Sequence, residues 1–189
     1  GTIAAVTEEM SRAGANICNF RLARAAKGGT AVMTIEVDGA LEAAVAAAKA
    51  AFPGWSSTPV LKRVQILYKL RELLVEHMDE LTEMVARENG KNWAESQGDV
   101  LKAREGTEQA IAAPSLMMGE SLMDASKGFD TVLYREPLGV FAGIVPFNFP
   151  AMIPMGWMTP MCIACGNTIV IKAATFTPQT CMRIAELYK

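Results

Sequence analysis

Histidine is almost absent from these 189 residues: His77 stands alone, so neither a Ser-His-Asp arrangement nor a histidine metal cluster can be assembled within the chain. Cysteine is scarce as well. Cys18, Cys162, Cys165 and Cys181 are too few and too apolar in their surroundings for a disulfide framework, and no stretch has the layout of a signal peptide. A reducing, cytoplasmic setting is expected. There is no excess of basic charge, since 18 Lys and Arg face 20 Asp and Glu for a net charge of -2, which removes the usual driving force for binding nucleic acid. Charge of either sign disappears between Pro137 and Ile171. That run is long enough for a membrane span, but Pro146, Pro150, Pro154 and Pro160 interrupt it, so it reads as buried strand, loop, helix and strand rather than as a membrane segment. No GxGxxG is present, so the dinucleotide fingerprint is missing.

What is present is a globular composition, 51% apolar and 20% charged. Residues 1–39 read as a helix from Ile3 to Ala13, a turn at Gly14, and strands Asn16–Arg24 and Thr30–Val37 around the turn Lys27-Gly28-Gly29. Past Asp38-Gly39 the pattern turns helical, which puts a domain junction near residue 40. A helix from Glu42 to Phe52 is stopped by Pro53-Gly54. Thr58 is placed to cap a second helix with Pro59 as its first residue, and Val60, Val64, Leu67, Leu70 and Leu74 form its apolar stripe. A third helix spans Met78 to Asn89, and a long one spans Trp93 to Met118 with Asp99, Lys102, Arg104 and Glu105 on solvated faces. Thr131 to Glu136 reads as an extended strand.

The last third alternates in a parallel α/β manner. Val140–Val145 and Thr168–Ile171 are short apolar runs suited to doubly covered parallel strands, with a helix between them, and Thr177-Pro178 caps and starts another. Ligands of such sheets meet the carboxyl ends of the strands, which selects Val145–Asn148 and Lys172–Thr175. Asn148 follows the first strand in a loop flanked by prolines. Its amide suits donation to a developing oxyanion, whose loss costs about 2.7–4 kcal/mol, although the local sequence alone favours an Asx-type turn. Lys172 would meet ligand hydroxyls or phosphates, or solvent alone. Cys162 and Cys165 have CxxC spacing without a second pair, so no metal site is expected, and Met152, Met155, Met158 and Met161 recur at a helix-packing interval.

Residues 40–189 closely resemble the N-terminal part of the aldehyde dehydrogenase superfamily, in its methylmalonate-semialdehyde dehydrogenase-like branch. Ala47–Trp55 (AAKAAFPGW), Arg135–Val140 (REPLGV), Gly143–Met152 (GIVPFNFPAM) and Ala164–Lys172 (ACGNTIVIK) carry the resemblance. It implies an incomplete Rossmann-like parallel sheet with N-terminal helices, and an oxidoreductase that oxidises a small aldehyde or semialdehyde through a thioester, released to water or to CoA. Asn148 becomes the oxyanion donor, Ile144, Val145, Pro146 and Phe147 line the NAD(P) site, and Lys172 binds the adenosine ribose. At Thr175, NAD-preferring relatives carry Glu. A carboxylate would repel a 2′-phosphate by about 4 kcal/mol per charge pair at 4 Å and an effective dielectric of 20, so Thr175 favours NADP. The resemblance further implies a homo-oligomer formed through the strand segment Thr131–Glu136.

The family's nucleophilic Cys and general-base Glu correspond to positions after residue 189, so the isolated chain is expected to be inactive. Both ends of the sequence read as cuts in a longer polypeptide. Residues 1–39 resemble part of the ACT regulatory domain, a ferredoxin-like α+β fold, in the version found in iron–sulfur L-serine dehydratases, on Gly1–Val6 (GTIAAV), Gly14–Ile17 (GANI) and Lys27–Asp38 (KGGTAVMTIEVD). Two alternatives stand beside the dehydrogenase reading: a non-catalytic amino-acid-sensing module fused to a partner-binding domain, and an artificial junction of two genes.

Overall fold

The computed structural model describes residues 17–24, 31–37 and 40–188. Two units divide the chain, Gly1–Ala47 and Ala48–Lys189. In the first, β1 (Ile17–Arg24) and β2 (Ala31–Val37) form an antiparallel pair with a register shift between Ile17 and Asn19. The two expected strands are therefore present. The expected helix Ile3–Ala13 and the turns at Gly14 and Lys27-Gly28-Gly29 lie outside the described residues.

The division falls within α1 (Ala40–Ser56), which runs through Pro53 instead of stopping there. Pro53 sits in the last turn, where the carbonyls left without helical partners are met by hydroxyls. Ser56 Oγ donates to the Pro53 carbonyl at 3.2 Å, while Ser57 Oγ and Thr58 Oγ1 donate to that of Gly54 at 3.0 and 2.9 Å. Thr58 thus closes α1 and does not cap α2 (Val60–Glu76), whose N-cap is Pro59. The expected stripe holds, with Val64, Leu67, Leu70 and Leu74 buried.

His77 joins α2 to α3 (Met78–Asn89), and its ring nitrogen Nδ1 lies 2.6 Å from Glu80. Gly90, at φ 78°, ends α3 in the left-handed conformation that glycine adopts without strain. Asn92 then caps α4 (Trp93–Ile111) by accepting the Glu95 N–H at 2.9 Å. The single long helix expected to reach Met118 breaks at Ala112, and a short α5 (Ala113–Leu116) follows. Pro114 accounts for the break, because it has no N–H and its ring clashes with the carbonyl four residues back.

The next element is a hairpin of β3 (Glu120–Ser126) and β4 (Phe129–Leu133), antiparallel and exposed along both strands. The expected Thr131–Glu136 strand is its second half, shifted toward the N-terminus. Parallel strands β5 (Val140–Ile144) and β6 (Thr168–Lys172) then pair from Val140 with Thr168 to Ile144 with Lys172. They are not doubly covered: Gly143 is buried against Ile171 and Met158, whereas Phe141 and Ile144 are exposed.

Between β5 and β6 the expected helix is split into a π-helical turn, Ile153–Met158, and α6 (Thr159–Ala164). The wide turn presses its backbone onto α4. A Cβ on Gly156 would come 2.7 Å from the Ala103 Cα, and one on Gly106 would come 2.4 Å from the Gly156 carbonyl oxygen, so side chains are excluded from both sides of this crossing. Finally α7 (Gln179–Leu187) starts after Pro178 without a local cap; its first N–H groups, from Gln179 and Thr180, are accepted by Glu88 of α3 at 2.8 and 3.0 Å. Leu67, Leu74, Leu81, Val85, Val100, Met155 and Ile184 unite these helices in one core.

Arg63 is a buried cation of this assembly, 4% exposed. Its Nε donates to the Ala164 carbonyl at 2.9 Å, at the negative end of α6, and its Nη1 donates to the Thr58 carbonyl.

Candidate functional site

The carboxyl ends of β5 and β6 lie side by side, and the loops leaving them meet. Ile144 ends β5 opposite Lys172, and the Val145 N–H continues the ladder by donating to the Lys172 carbonyl at 3.3 Å. Val145 is buried, while Ile144, Pro146, Phe147 and Asn148 are exposed at this edge. Lys172 Nζ donates to Thr175 Oγ1 at 3.2 Å. The Phe147 carbonyl accepts from Thr177 Oγ1 at 3.1 Å, and the Phe147 and Phe176 rings stand edge to face with centroids 6.4 Å apart. All seven expected site residues therefore gather at one end of one sheet. Thr177, expected to cap a helix, instead ties the two loops together.

The Asn148 loop is held from a third direction. Asn89 Nδ2 donates to the Phe147 carbonyl at 2.8 Å, and Lys91 Nζ donates to the Asn148 carbonyl at 2.6 Å. The same ammonium lies 3.9 Å from the centroid of the Phe149 ring and 3.6 Å from Asp99 Oδ2. Asp99 Oδ1 accepts the Met152 N–H at 2.8 Å. Asp99 was expected on a solvated face, but it is 1% exposed. Burial pushes its carboxyl above the usual range, against the opposing pull of the Met152 N–H and Lys91. Among the described residues no protein group engages the Asn148 side-chain amide, so the Asx-type turn does not form and the amide faces outward from a fixed backbone.

Sequence reasoning missed Asn89, Lys91 and Asp99 as partners of this loop. Asn89-Gly90 was read only as a helix stop. The one available signal was Gly90, since a left-handed residue turns the chain sharply enough for its two neighbours to reach a common target. Asn167 was likewise read as a turn residue. It is buried, and its Oδ1 accepts both the Leu138 and Gly139 N–H groups at 2.6 and 3.0 Å, fixing the start of β5 against that of β6.

Among the described residues Cys162, Cys165 and Cys181 offer no activated thiol. Burial pushes the Cys162 and Cys181 thiols up to about 11, and it raises Cys165 as well. Cys165 has Arg63 as a cationic neighbour that opposes its shift, but desolvation outweighs it. Among the described residues no group of three or more His, Cys, Asp or Glu side chains could hold a metal ion, and no helix is long and apolar enough to cross a membrane.

Two parallel strands whose carboxyl-terminal loops meet put these residues where open α/β sheets bind their ligands. The model of the aldehyde dehydrogenase family matches residues 29–189, and the chain belongs to that family. It is 50% identical over 149 residues to malonate-semialdehyde dehydrogenase 1 of Geobacillus thermodenitrificans, covering 79% of this chain and 31% of the relative. The malonate-semialdehyde dehydrogenase of Bacillus pumilus is equally similar, at 50% identity over 149 residues, covering 79% of this chain and 30% of its own. Among solved structures, the methylmalonate-semialdehyde dehydrogenase of Oceanimonas doudoroffii superposes with a TM-score of 0.76 at 40% identity, over 78% of this chain and 30% of its own. A Sinorhizobium meliloti protein assigned as a methylmalonate-semialdehyde dehydrogenase, solved with NAD, gives 0.76 at 41% identity, over 81% of this chain and 33% of its own. The chain thus spans about three tenths of the length of these relatives.

Proposed function

We propose that this chain supplies the oxyanion donor and part of the NAD(P) site of a dehydrogenase acting on malonate semialdehyde, methylmalonate semialdehyde or a similarly small aldehyde. The single observation that carries this is the meeting of the Asn148 loop with Lys172 and Thr175, joined by the Ile144–Lys172 register and the Val145 N–H. Residues 40–189 form the N-terminal part of the NAD(P)-binding domain in this reading, and the family match begins earlier, at residue 29.

In the reaction, attack of a thiolate on the aldehyde carbonyl creates an oxyanion. The Asn148 amide, carried on a fixed backbone and free of internal partners, is suited to donate to it. The chemistry supplied by bound NAD(P) would be hydride acceptance, oxidising the thiohemiacetal to a thioester that water or CoA would cleave. Ile144, Val145, Pro146 and Phe147 form the wall toward the cofactor, and the Lys172 ammonium is suited to ribose hydroxyls. Thr175 carries no charge to repel a 2′-phosphate, and Lys172 lies beside it, which favours acceptance of NADP. None of Cys162, Cys165 and Cys181 supplies the thiolate, because burial raises all three thiols. The nucleophile belongs to the part of the relatives' length that this chain does not span. The exposed apolar side chains of β3 and β4, among them Leu122, Phe129 and Val132, suit a contact between subunits.

The test is the complete dehydrogenase carrying this segment, assayed with malonate semialdehyde, CoA and either cofactor. Asn148→Ala is expected to lower kcat by about 100-fold or more, as loss of an oxyanion donor does. Thr175→Glu is expected to weaken NADP while sparing NAD. An Asn148→Ala enzyme with unaltered kcat would remove the assignment of the donor.

A further inference from the structure

Six consecutive residues, Phe147–Met152, are held at four points by side chains from one short stretch, Asn89–Asp99. Asn89 holds the Phe147 carbonyl, Lys91 holds the Asn148 carbonyl and covers the Phe149 ring, and Asp99 holds the Met152 N–H. Lys91 and Asp99 face each other at 3.6 Å, so these two anchors are one ion pair. Packing alone does not account for that pair. Asp99 is almost wholly buried, its Oδ2 has no hydrogen bond, and a carboxylate withdrawn from water on those terms is costly. An apolar side chain would fill the same space without that cost, but it could not orient an ammonium toward the Asn148 carbonyl.

We infer that Lys91, oriented by Asp99, is a positioning residue for oxyanion stabilisation: it fixes the peptide that follows Asn148 and thereby the direction in which the Asn148 amide points. This rests on the reading of Asn148 as the oxyanion donor. Lys91 touches neither substrate nor cofactor in this role and acts only through Asn148. A donor amide stabilises the developing charge only when held near the position the oxygen will take, so a loosened peptide lowers kcat more than it alters KM.

The test is a double-mutant cycle in the complete dehydrogenase, with malonate semialdehyde and NAD as the probes. Lys91→Met is expected to lower kcat by about 10- to 30-fold and to change either KM by less than about threefold. In an Asn148→Ala background the same substitution is expected to cost less than about threefold, because the group it positions is already gone. Lys91→Arg, which can still donate to the Asn148 carbonyl, is expected to recover most of the activity. An undiminished loss on top of Asn148→Ala would overturn the inference, since a general structural defect multiplies through; so would a wild-type kcat in Lys91→Met. If instead Asn148→Ala itself leaves kcat unchanged, the donor assignment fails first, and the two failures are told apart by that single mutant. Should Lys91→Met not accumulate as folded protein, Asp99→Asn keeps an acceptor for the Met152 N–H and repeats the cycle, with a smaller loss that must likewise vanish without Asn148.

Discussion

The hairpin β3–β4 and the parallel pair β5–β6 are both two-stranded, yet they are held by different things. Every residue of the hairpin strands is exposed, and beyond its ladder the side chain of Asp130 accepts the Asp124 N–H at 2.9 Å across the turn. The parallel pair lays Gly143 against Met158 of the π-helical turn, and Asn167 clamps the strand starts with two hydrogen bonds. Charge follows the same division. Glu120, Asp124, Lys127 and Asp130 mark the hairpin, whereas the pair carries only Lys172, at the edge where a ligand is expected. The parallel pair is fixed by polar atoms at its start and packing along its length, whereas the hairpin adds to its ladder one side-chain hydrogen bond and no buried face.

Substitutions at each element can break that comparison. Gly166, at φ 87°, enters β6 with Pro137 and Arg63 so near that an added Cβ would lie 2.7 and 3.1 Å from them. Gly166→Val is therefore expected to destabilise the chain by about 3 kcal/mol or more in urea unfolding, combining strain and a clash with a buried cation. Asn167→Ala strands two N–H groups and is expected to cost about 2 kcal/mol by the same measurement. Glu88→Ala removes the only cap of α7 and is expected to cost about 1 kcal/mol. Phe129→Ser, in the hairpin, is expected to change stability by less than about 0.5 kcal/mol while altering the mass of any assembly seen by light scattering. A loss from Phe129→Ser as large as that from Asn167→Ala would show that the hairpin is packed, and the contrast would fall.

The smallest effect is one of pH. Arg183 donates to Glu80 at 2.7 Å and, with His77, holds its carboxyl below the usual range. The unfolded chain then binds the proton more readily than the folded one. The stability from this contact is present above the ordinary carboxylate pKa and is lost as pH falls through the lowered one. Melting temperatures between about pH 5 and 3 are expected to drop less steeply for Glu80→Gln than for the wild type, and only slightly so because the pair is exposed.

The same contrast explains what could be read in advance. The strands β5 and β6 were legible because apolar runs bounded by turn residues announce them, and the α2 stripe was legible because Val64, Leu67, Leu70 and Leu74 keep a helical interval. Strand β3 was not, because exposure on both faces imposes no alternation on Glu120–Ser126. The strand ends selected Val145–Asn148 and Lys172–Thr175 by position, and the family resemblance added Ile144 and the individual roles; the structure puts all seven residues at that one edge. Their supports were not legible: Lys91 and Asp99 lie far from Asn148 in sequence, and a carboxylate flanked by Gly98 and Val100 on a polar helix gives no sign of being buried. The break at Ala112 was readable in Pro114 and was overridden by the amphipathic pattern around it.

The Glu88 carboxylate that closes the first turn of α7 lies 91 positions before the Gln179 it receives. The start of α7 is therefore secured by tertiary structure and not by its own local sequence, and the loop from Lys172 to Pro178 ends on an anchor supplied by α3. The expected ligand edge thus borrows its rigidity from a helix outside the sheet.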